Sequence, residues 1–431
     1  MKFLVKGKSK IDGEITLAGA KNAVNKLLIA SILSDEQSVL YNVPLIDELN
    51  IVFDLCKQIG SDINLIDHTV FIKTKEIKNF QVVSLSRSNR IPVLTIGPLV
   101  HRFGEAIVPV VGGDKIGPRP VDLHFNALTA LGVQIKVENN CYYAQAKNGL
   151  HGAHINFQFP SVGATENTLM AAVLAKGKTI IENGAVEPEV IELVKFLQNM
   201  GAIIELGADR KFYIEGVKKL HGAKFNILPD RNEAVSFACL AIANNGNILI
   251  KNAIQDHLIS FLSAVRKIGA HFSIESDGIR FWGDKHLAGI NIRTDTHPGF
   301  MTDWQQPFAV VLTQSTGQSI IHETIYENRF NYTQDLNRMG AHIEVFKDCL
   351  DEMKCRFYNK GFNHSAVIYG PTQLHGTEIF VPDLRAGIAH IIAATVAEGE
   401  SIINNAEEID RGYENIDKKL KSIGVNIVRT N

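Results

Sequence analysis

The sequence predicts an α/β protein of two globular domains, each built from three copies of one unit of roughly 70 residues. Three observations carry this expectation. A helix-ending pattern recurs around Gly60, Gly132, Gly201, Gly269, Gly340 and Gly424, at separations of 72, 69, 68, 71 and 84 residues. A second pattern (strand, polar turn, helix closing near Gly, strand) falls between these. Finally, 431 residues of which 45% are hydrophobic suit two or three domains, each with its own core.

Each recurring Gly follows an apolar helical stripe and precedes an apolar strand, as in Met200-Gly201-Ala-x-Ile204 and Met339-Gly340-Ala-x-Ile343. Gly accepts the left-handed backbone that ends such a helix. Cys56, Leu128, Leu197, Val265, Leu336 and Leu420 sit four residues before it, on the buried stripe. The intervening units read Ala153–Phe157 into Ser161-Val-Gly163, Phe225–Leu228 into Asp230-Arg231, Gly289–Ile292 into Thr302-Asp303, and Thr377–Val381 into Asp383-Leu-Arg385.

The charges nearly balance, 44 basic against 46 acidic for a net of −2, which argues against nucleic-acid or membrane-surface partners. No apolar run reaches the roughly 18 residues of a bilayer span, and the N-terminus lacks a signal-peptide core. The five cysteines show no CxxC, and Cys349 and Cys355 miss the usual zinc spacing. They read as reduced, buried thiols of a cytoplasmic protein. The fifteen His are scattered, so no metal site is expected. GxSxG, GxxxxGK[ST], GxGxxG and HExxH are all missing.

Several charges stand where a helix alone would not choose them. Lys21 falls in a first helical turn, where the macrodipole opposes a cation by about 0.3–1 kcal/mol. It is either a tolerated surface Lys or the partner of an anion bound there. Ser161-Val-Gly163 opens a helix as a plain N-cap or as an anion seat. Asp230 and Asp383 read as N-caps with an Arg nearby. Residues 111–122, with three Gly and two Pro, exclude helix and central strand. They form either a surface turn or a lid carrying Asp114, Lys115, Arg119 and Asp122. Arg90, Arg329 and Arg411 suit a doubly anionic ligand, or surface ion pairs.

Lys21-Asn22, Gly112 through Asp122, Ser161-Val-Gly163, Glu187-Pro-Glu189, Asp230-Arg231, Thr302-Asp303, Glu327 through Phe330, Asp383-Leu-Arg385 and Asp410 through Glu414 occur in this order. The ordered set resembles the UDP-N-acetylglucosamine 1-carboxyvinyltransferase family of enolpyruvyl transferases, essentially end to end. The resemblance implies a two-domain inside-out α/β barrel of six βαβαββ-type repeats. One domain would comprise residues 1–20 and 230–431, the other residues 21–229 with the 111–122 lid. The implied substrates are phosphoenolpyruvate and UDP-N-acetylglucosamine, with no metal or other cofactor. Enolpyruvyl transfer to another acceptor, such as shikimate 3-phosphate, and a non-catalytic UDP-sugar-binding paralogue are the alternatives.

The family's roles map onto Asp303 as base, Asp114 as acid, and Lys21, Arg119 and Arg411 as holders of phosphate and carboxylate. Arg90 would help close the site. Pro120, Val121, Asp122, Leu123, Phe159, Pro160, Ser161, Val162, Gly163 and Ile325 match stretches that hold the UDP-sugar. Asn22, Arg329, Asp383 and Arg385 complete the substrate-binding set. Phe159 departs from the family in standing where relatives often place Lys, and two further departures stand out. Asp114 occupies the position where most members carry Cys, so Asp114→Asn should abolish activity. Asp114→Cys should keep activity and bring sensitivity to the thiol-alkylating epoxide fosfomycin. The 84-residue spacing before Gly424 implies a longer loop containing Cys349 and Cys355.

Overall fold

The computed structural model describes residues 1–82, 89–110, 120–351 and 353–430. Among these, chain contacts define two compact units: residues 1–18 with 229–430, and residues 19–110 with 120–228. Each unit has a separate apolar core.

The six recurring glycines all adopt positive φ, between 81° and 119°. A helix ends immediately before each, and a strand follows, as in Pro188–Asn199 into Ile203–Leu206. There the left-handed residue frees the chain to turn into a strand, which a Cβ would oppose. The strands alternate buried and exposed residues, as Phe3 and Val5 do in Lys2–Lys6, so one face of each sheet meets the core.

In the first unit the helices Arg231–Ala243, Gln305–Thr313 and Leu384–Val396 pack against one another and are buried throughout. A helix apolar on all sides, rich in Ala, belongs inside a ring of other elements. Three four-stranded sheets supply that ring. In the second unit Val162–Ala172 packs on Ile96–Phe103 and Pro188–Asn199, and Lys21–Ser31 packs on Pro188–Asn199 and Asp47–Ile59. Two four-stranded sheets and one three-stranded sheet accompany them. This is the inside-out α/β arrangement.

All five four-stranded sheets share one plan: a short strand parallel to the next, then two antiparallel neighbours. Asn291–Arg293, for example, runs parallel to Gly317–His322, which pairs antiparallel with Ser365–Gly370. In the three-stranded sheet the parallel partner, among the described residues, is a single bridge from Gln81 to Ile107. Long-range pairings sew the first unit together. Lys2–Lys6 lies between Glu400–Asn404 and Asn426–Thr430, and Asp12–Thr16 runs parallel to Asn247–Lys251. The chain therefore leaves the first unit, builds the second and returns. Among the described residues no helix is long and apolar enough to cross a membrane.

Candidate active site

Asp303 lies in the single turn Thr302–Trp304 that leads into the buried helix Gln305–Thr313. Trp304 anchors this turn. Its ring packs edge-on against Phe261 and Phe300, and its Nε1 donates to Asn232 Oδ1 at 2.9 Å. Glu323 anchors it from the other side. One carboxylate oxygen accepts from the Thr302 hydroxyl at 2.9 Å and Gln305 Nε2 at 2.6 Å. The other accepts the backbone N–H groups of Ile325 and Tyr326.

The Asp303 carboxylate is held by two guanidinium groups. Arg329 Nη2 donates to Oδ1 at 2.7 Å, and Arg385 Nε donates to Oδ2 at 3.1 Å. Both arginines are buried, whereas Asp303 keeps 18% of its side chain open. Removal from water would raise the Asp303 pKa; the charges of Arg385 and Arg329 outweigh this and hold it well below the usual carboxylate range. The group is therefore anionic and reachable.

Arg385 is placed by its helix. Asp383 caps Leu384–Val396, accepting from the N–H of Arg385 at 2.9 Å and of Ala386 at 3.0 Å. The Arg385 Nη1 also donates to the Tyr413 hydroxyl at 3.1 Å, and that hydroxyl bonds Ser236 at 2.7 Å. Burial pushes the Tyr413 phenol up to about 12, so it stays neutral. Asp230 caps Arg231–Ala243 in the same way, through Asn232 and Glu233. Arg411, two residues before Tyr413, is buried and donates to Glu408 at 3.0 Å.

The second unit carries a different cluster. The helices Asp122–Ala130 and Val162–Ala172 pack together near their starts. His124 lies under Gly163, where a Cβ would come within 3.1 Å of its ring. His124 Nδ1 meets Asn167 Nδ2 at 3.2 Å. Burial, with Arg90 adding to it, lowers this imidazole to about 3, so it is neutral. Arg90 Nη2 donates to the Pro120 carbonyl at 3.1 Å. Ser161 caps Val162–Ala172, its hydroxyl accepting from Ala164 N–H at 3.4 Å. Lys21 and Asn22 open Lys21–Ser31, which has neither a side-chain cap nor an acid in its first turn.

The structure thus gathers Asp303, Arg329, Asp383 and Arg385 in one cluster of the first unit, with Ile325 joined to it through Glu323. It gathers Arg90, Pro120, Val121, Asp122, Leu123 and Ser161 through Gly163 around the two helix starts of the second, preceded by Phe159 and Pro160. Asp114 and Arg119 lie outside the described residues. Sequence reasoning missed Glu323, Gln305 and the Asn232–Trp304 bond. It also missed Tyr413, although Tyr413 sits inside the Asp410 to Glu414 stretch.

Comparison with known proteins then decides the family. The model described as EPSP synthase (3-phosphoshikimate 1-carboxyvinyltransferase) matches residues 5–420. The chain is 46% identical to a UDP-N-acetylglucosamine 1-carboxyvinyltransferase of Protochlamydia amoebophila, over 98% of this chain and 93% of that protein. The chain belongs to the enolpyruvyl transferase family. A relative of the same name from Chlamydia pneumoniae is also 46% identical, again covering 98% of this chain and 93% of that protein. Among solved structures, the enolpyruvyl transferase NikO from Streptomyces tendae superposes with a TM-score of 0.87 at 18% identity, covering 99% of this chain and 98% of that one. EPSP synthase from Acinetobacter baumannii gives 0.76 at 15% identity, with both chains fully covered. These two show that the enolpyruvyl transferase fold is shared.

Proposed function

We propose that this chain transfers the enolpyruvyl group of phosphoenolpyruvate to the 3-hydroxyl of UDP-N-acetylglucosamine, releasing phosphate. This is the first committed step of peptidoglycan synthesis and a reaction of the cytoplasm. The observation that carries the reading is 46% identity, over 98% of the chain, to proteins named for this activity. The Asp303 cluster supplies chemistry of the required kind.

In this reading the sugar hydroxyl oxygen bonds to the central carbon of phosphoenolpyruvate while Asp303 takes the hydroxyl proton. Asp114 gives a proton to the methylene carbon. The carbon–oxygen bond to phosphate then breaks, phosphate leaves, and the methyl group so formed gives a proton back to the Asp114 carboxylate, which restores the carbon–carbon double bond. Arg329 and Arg385 keep Asp303 ionised, but a carboxylate so stabilised is a poor base. Proton uptake requires one guanidinium to be drawn from Asp303 toward the anionic substrate. Lys21, Arg119 and Arg411 hold the phosphate and carboxylate, supplying fixed positive charge where negative charge develops. Asn22, Arg90, Pro120 through Leu123, Phe159 through Gly163, Ile325 and Asp383 complete the contacts to substrate.

The test is phosphate release from phosphoenolpyruvate with UDP-N-acetylglucosamine as acceptor, against shikimate 3-phosphate. Release with the UDP-sugar alone is expected. Release with shikimate 3-phosphate alone, or with neither acceptor despite UDP-sugar binding, overturns the reading.

A further inference from the structure

The loop 347–364 joins strand His342–Phe346 to strand Ser365–Gly370. It lengthens its repeat to 84 residues, against 68 to 72 elsewhere. It also carries two cysteines and a histidine. Cys349 Sγ stands 3.5 Å from Cys355 Sγ and 3.3 Å from His364 Nε2. The neighbouring strand Gly317–His322 ends on His322, which pairs in register with Ser365. One ligand atom from each of His322, Cys349, Cys355 and His364 lies within 4.8 Å of the other three.

The protons on both imidazoles follow from their outer partners. His364 Nδ1 lies 2.8 Å from the Phe362 carbonyl, which only accepts, so Nδ1 carries the hydrogen and Nε2 the lone pair. The Ser365 hydroxyl donates to the Asp348 carbonyl at 2.7 Å and accepts from His322 Nδ1 at 2.8 Å. His322 Nε2 is therefore the lone-pair nitrogen. It is buried, His322 being 1% exposed, and has no hydrogen-bond partner among the described residues. A second partner that fixes the tautomer is the usual companion of a metal-ligating His. Backbone N–H groups also point at the sulfurs, from Phe357 to Cys355 at 3.3 Å and from Cys355 to Cys349 at 3.5 Å.

Bond lengths select among occupants. The two thiols are free and their 3.5 Å separation far exceeds the roughly 2.05 Å of a disulfide. A tetrahedral zinc ion, with bonds of about 2.3 Å to sulfur and 2.0 Å to nitrogen, sets sulfurs about 3.8 Å apart and sulfur from nitrogen about 3.5 Å. The observed 3.5 and 3.3 Å are close to those edges. We propose that His322, Cys349, Cys355 and His364 form a closed, tetrahedral site for Zn²⁺ that clips the 347–364 loop onto its sheet. Four protein ligands leave no open position, so the ion is structural. This departs from the sequence expectation, because His322 comes from another strand and the spacing of the two Cys is unusual.

The clip bears on the Asp303 cluster through short links. His322 directly precedes Glu323, which anchors the turn carrying Asp303. Within the loop, Arg356 reaches Glu327 at 3.5 Å and Asp351 accepts from Arg293 at 2.8 Å. The ion would thus steady the 323–329 segment that delivers Arg329.

The test uses the untagged full-length chain, purified under reducing conditions in zinc-supplemented medium. Elemental analysis should find one zinc per chain, a Cys349→Ser/Cys355→Ser variant should hold none, and Cys141→Ser should keep it. The chelator-treated parent supplies a second readout that does not depend on how the double variant folds. Added Co²⁺ should give thiolate-to-cobalt charge-transfer bands with intense tetrahedral visible bands, and added Zn²⁺ should protect two thiols from alkylation. A parent without zinc, with neither cobalt bands nor thiol protection, overturns the proposal. A Cys349–Cys355 disulfide as the resting form of the reduced, zinc-supplied chain overturns it equally.

Discussion

Asp303 and Glu166 are both carboxylates withdrawn from water beside a cation, yet their protons behave in opposite ways. Asp303 accepts hydrogen bonds from Arg329 and Arg385 and lies well below the usual range. Glu166, fully buried in the helix Val162–Ala172, has no hydrogen-bond partner for either oxygen among the described residues, and Lys26 Nζ stands off at 3.7 Å. Burial, helped by the like charges of Glu189 and Glu187, lifts it to about 7 against the opposing charge of Lys26. Direct hydrogen bonds from two cations keep a desolvated carboxylate charged; a single cation beyond hydrogen-bond reach does not. The first arrangement suits chemistry at an ionised group, and the second favours a neutral acid in a core.

The largest effect is expected at Asp303 itself. Asp303→Asn keeps the shape and removes the proton acceptor, so kcat should fall by roughly 10²- to 10⁴-fold with substrate affinity far less changed. Steady-state kinetics checks this, and an unchanged kcat removes Asp303 from the chemistry. Because Arg385 and Arg329 hold Asp303 well below the usual carboxylate range, its own titration should leave no acid limb in kcat/KM above pH 5.

Removing one clamp should move Asp303 toward Glu166. Arg385→Gln takes away a buried cation and should cost about 3 kcal/mol of stability by denaturant unfolding. It should also raise the Asp303 pKa, so that an acid limb enters the pH profile. The double variant Asp303→Asn/Arg385→Gln should lose less stability than the two single losses added together, since each change alone already removes the Asp303–Arg385 pair. Additive losses would mean that the two groups are not coupled.

The smallest effect is expected at Glu166. Its ordinary value is 4.5 and its folded value about 7, so between these pH values the native state holds a proton that the unfolded chain has released. Stability therefore falls as pH rises from about 4.5 to 7, by up to about 3 kcal/mol. Glu166→Gln should flatten that slope, visible as a smaller drop in Tm between pH 5 and pH 8. An unchanged slope would show that Glu166 is ionised in the folded state.

Local chemistry was the legible part of this molecule. The six cap glycines, the Asp230, Asp383 and Ser161 caps, and Lys21 at a helix start all follow from a few adjacent residues. What stayed hidden depends on distant partners. Arg329 and Arg385 reach Asp303 across 26 and 82 residues, and no periodicity pairs them. The return of the chain, with Asp12–Thr16 beside Asn247–Lys251, is likewise a matter of topology. His322 joins Cys349, Cys355 and His364 only because two strands are neighbours. Glu323 gave no signal beyond a polar residue after a strand, and its importance appears only with the backbone groups it satisfies.

The most direct measurement follows labelled carbon. Phosphoenolpyruvate carrying ¹³C at its three carbons is incubated with UDP-N-acetylglucosamine and either the parent or Asp303→Asn, and the nucleotide-sugar fraction is weighed by mass spectrometry. A UDP-sugar bearing all three labelled carbons as an enol ether is expected, formed rapidly by the parent and only slowly by the variant. A parent that leaves the sugar unlabelled, or a variant that labels it at the same rate, would remove Asp303-assisted enolpyruvyl transfer as the activity of this chain.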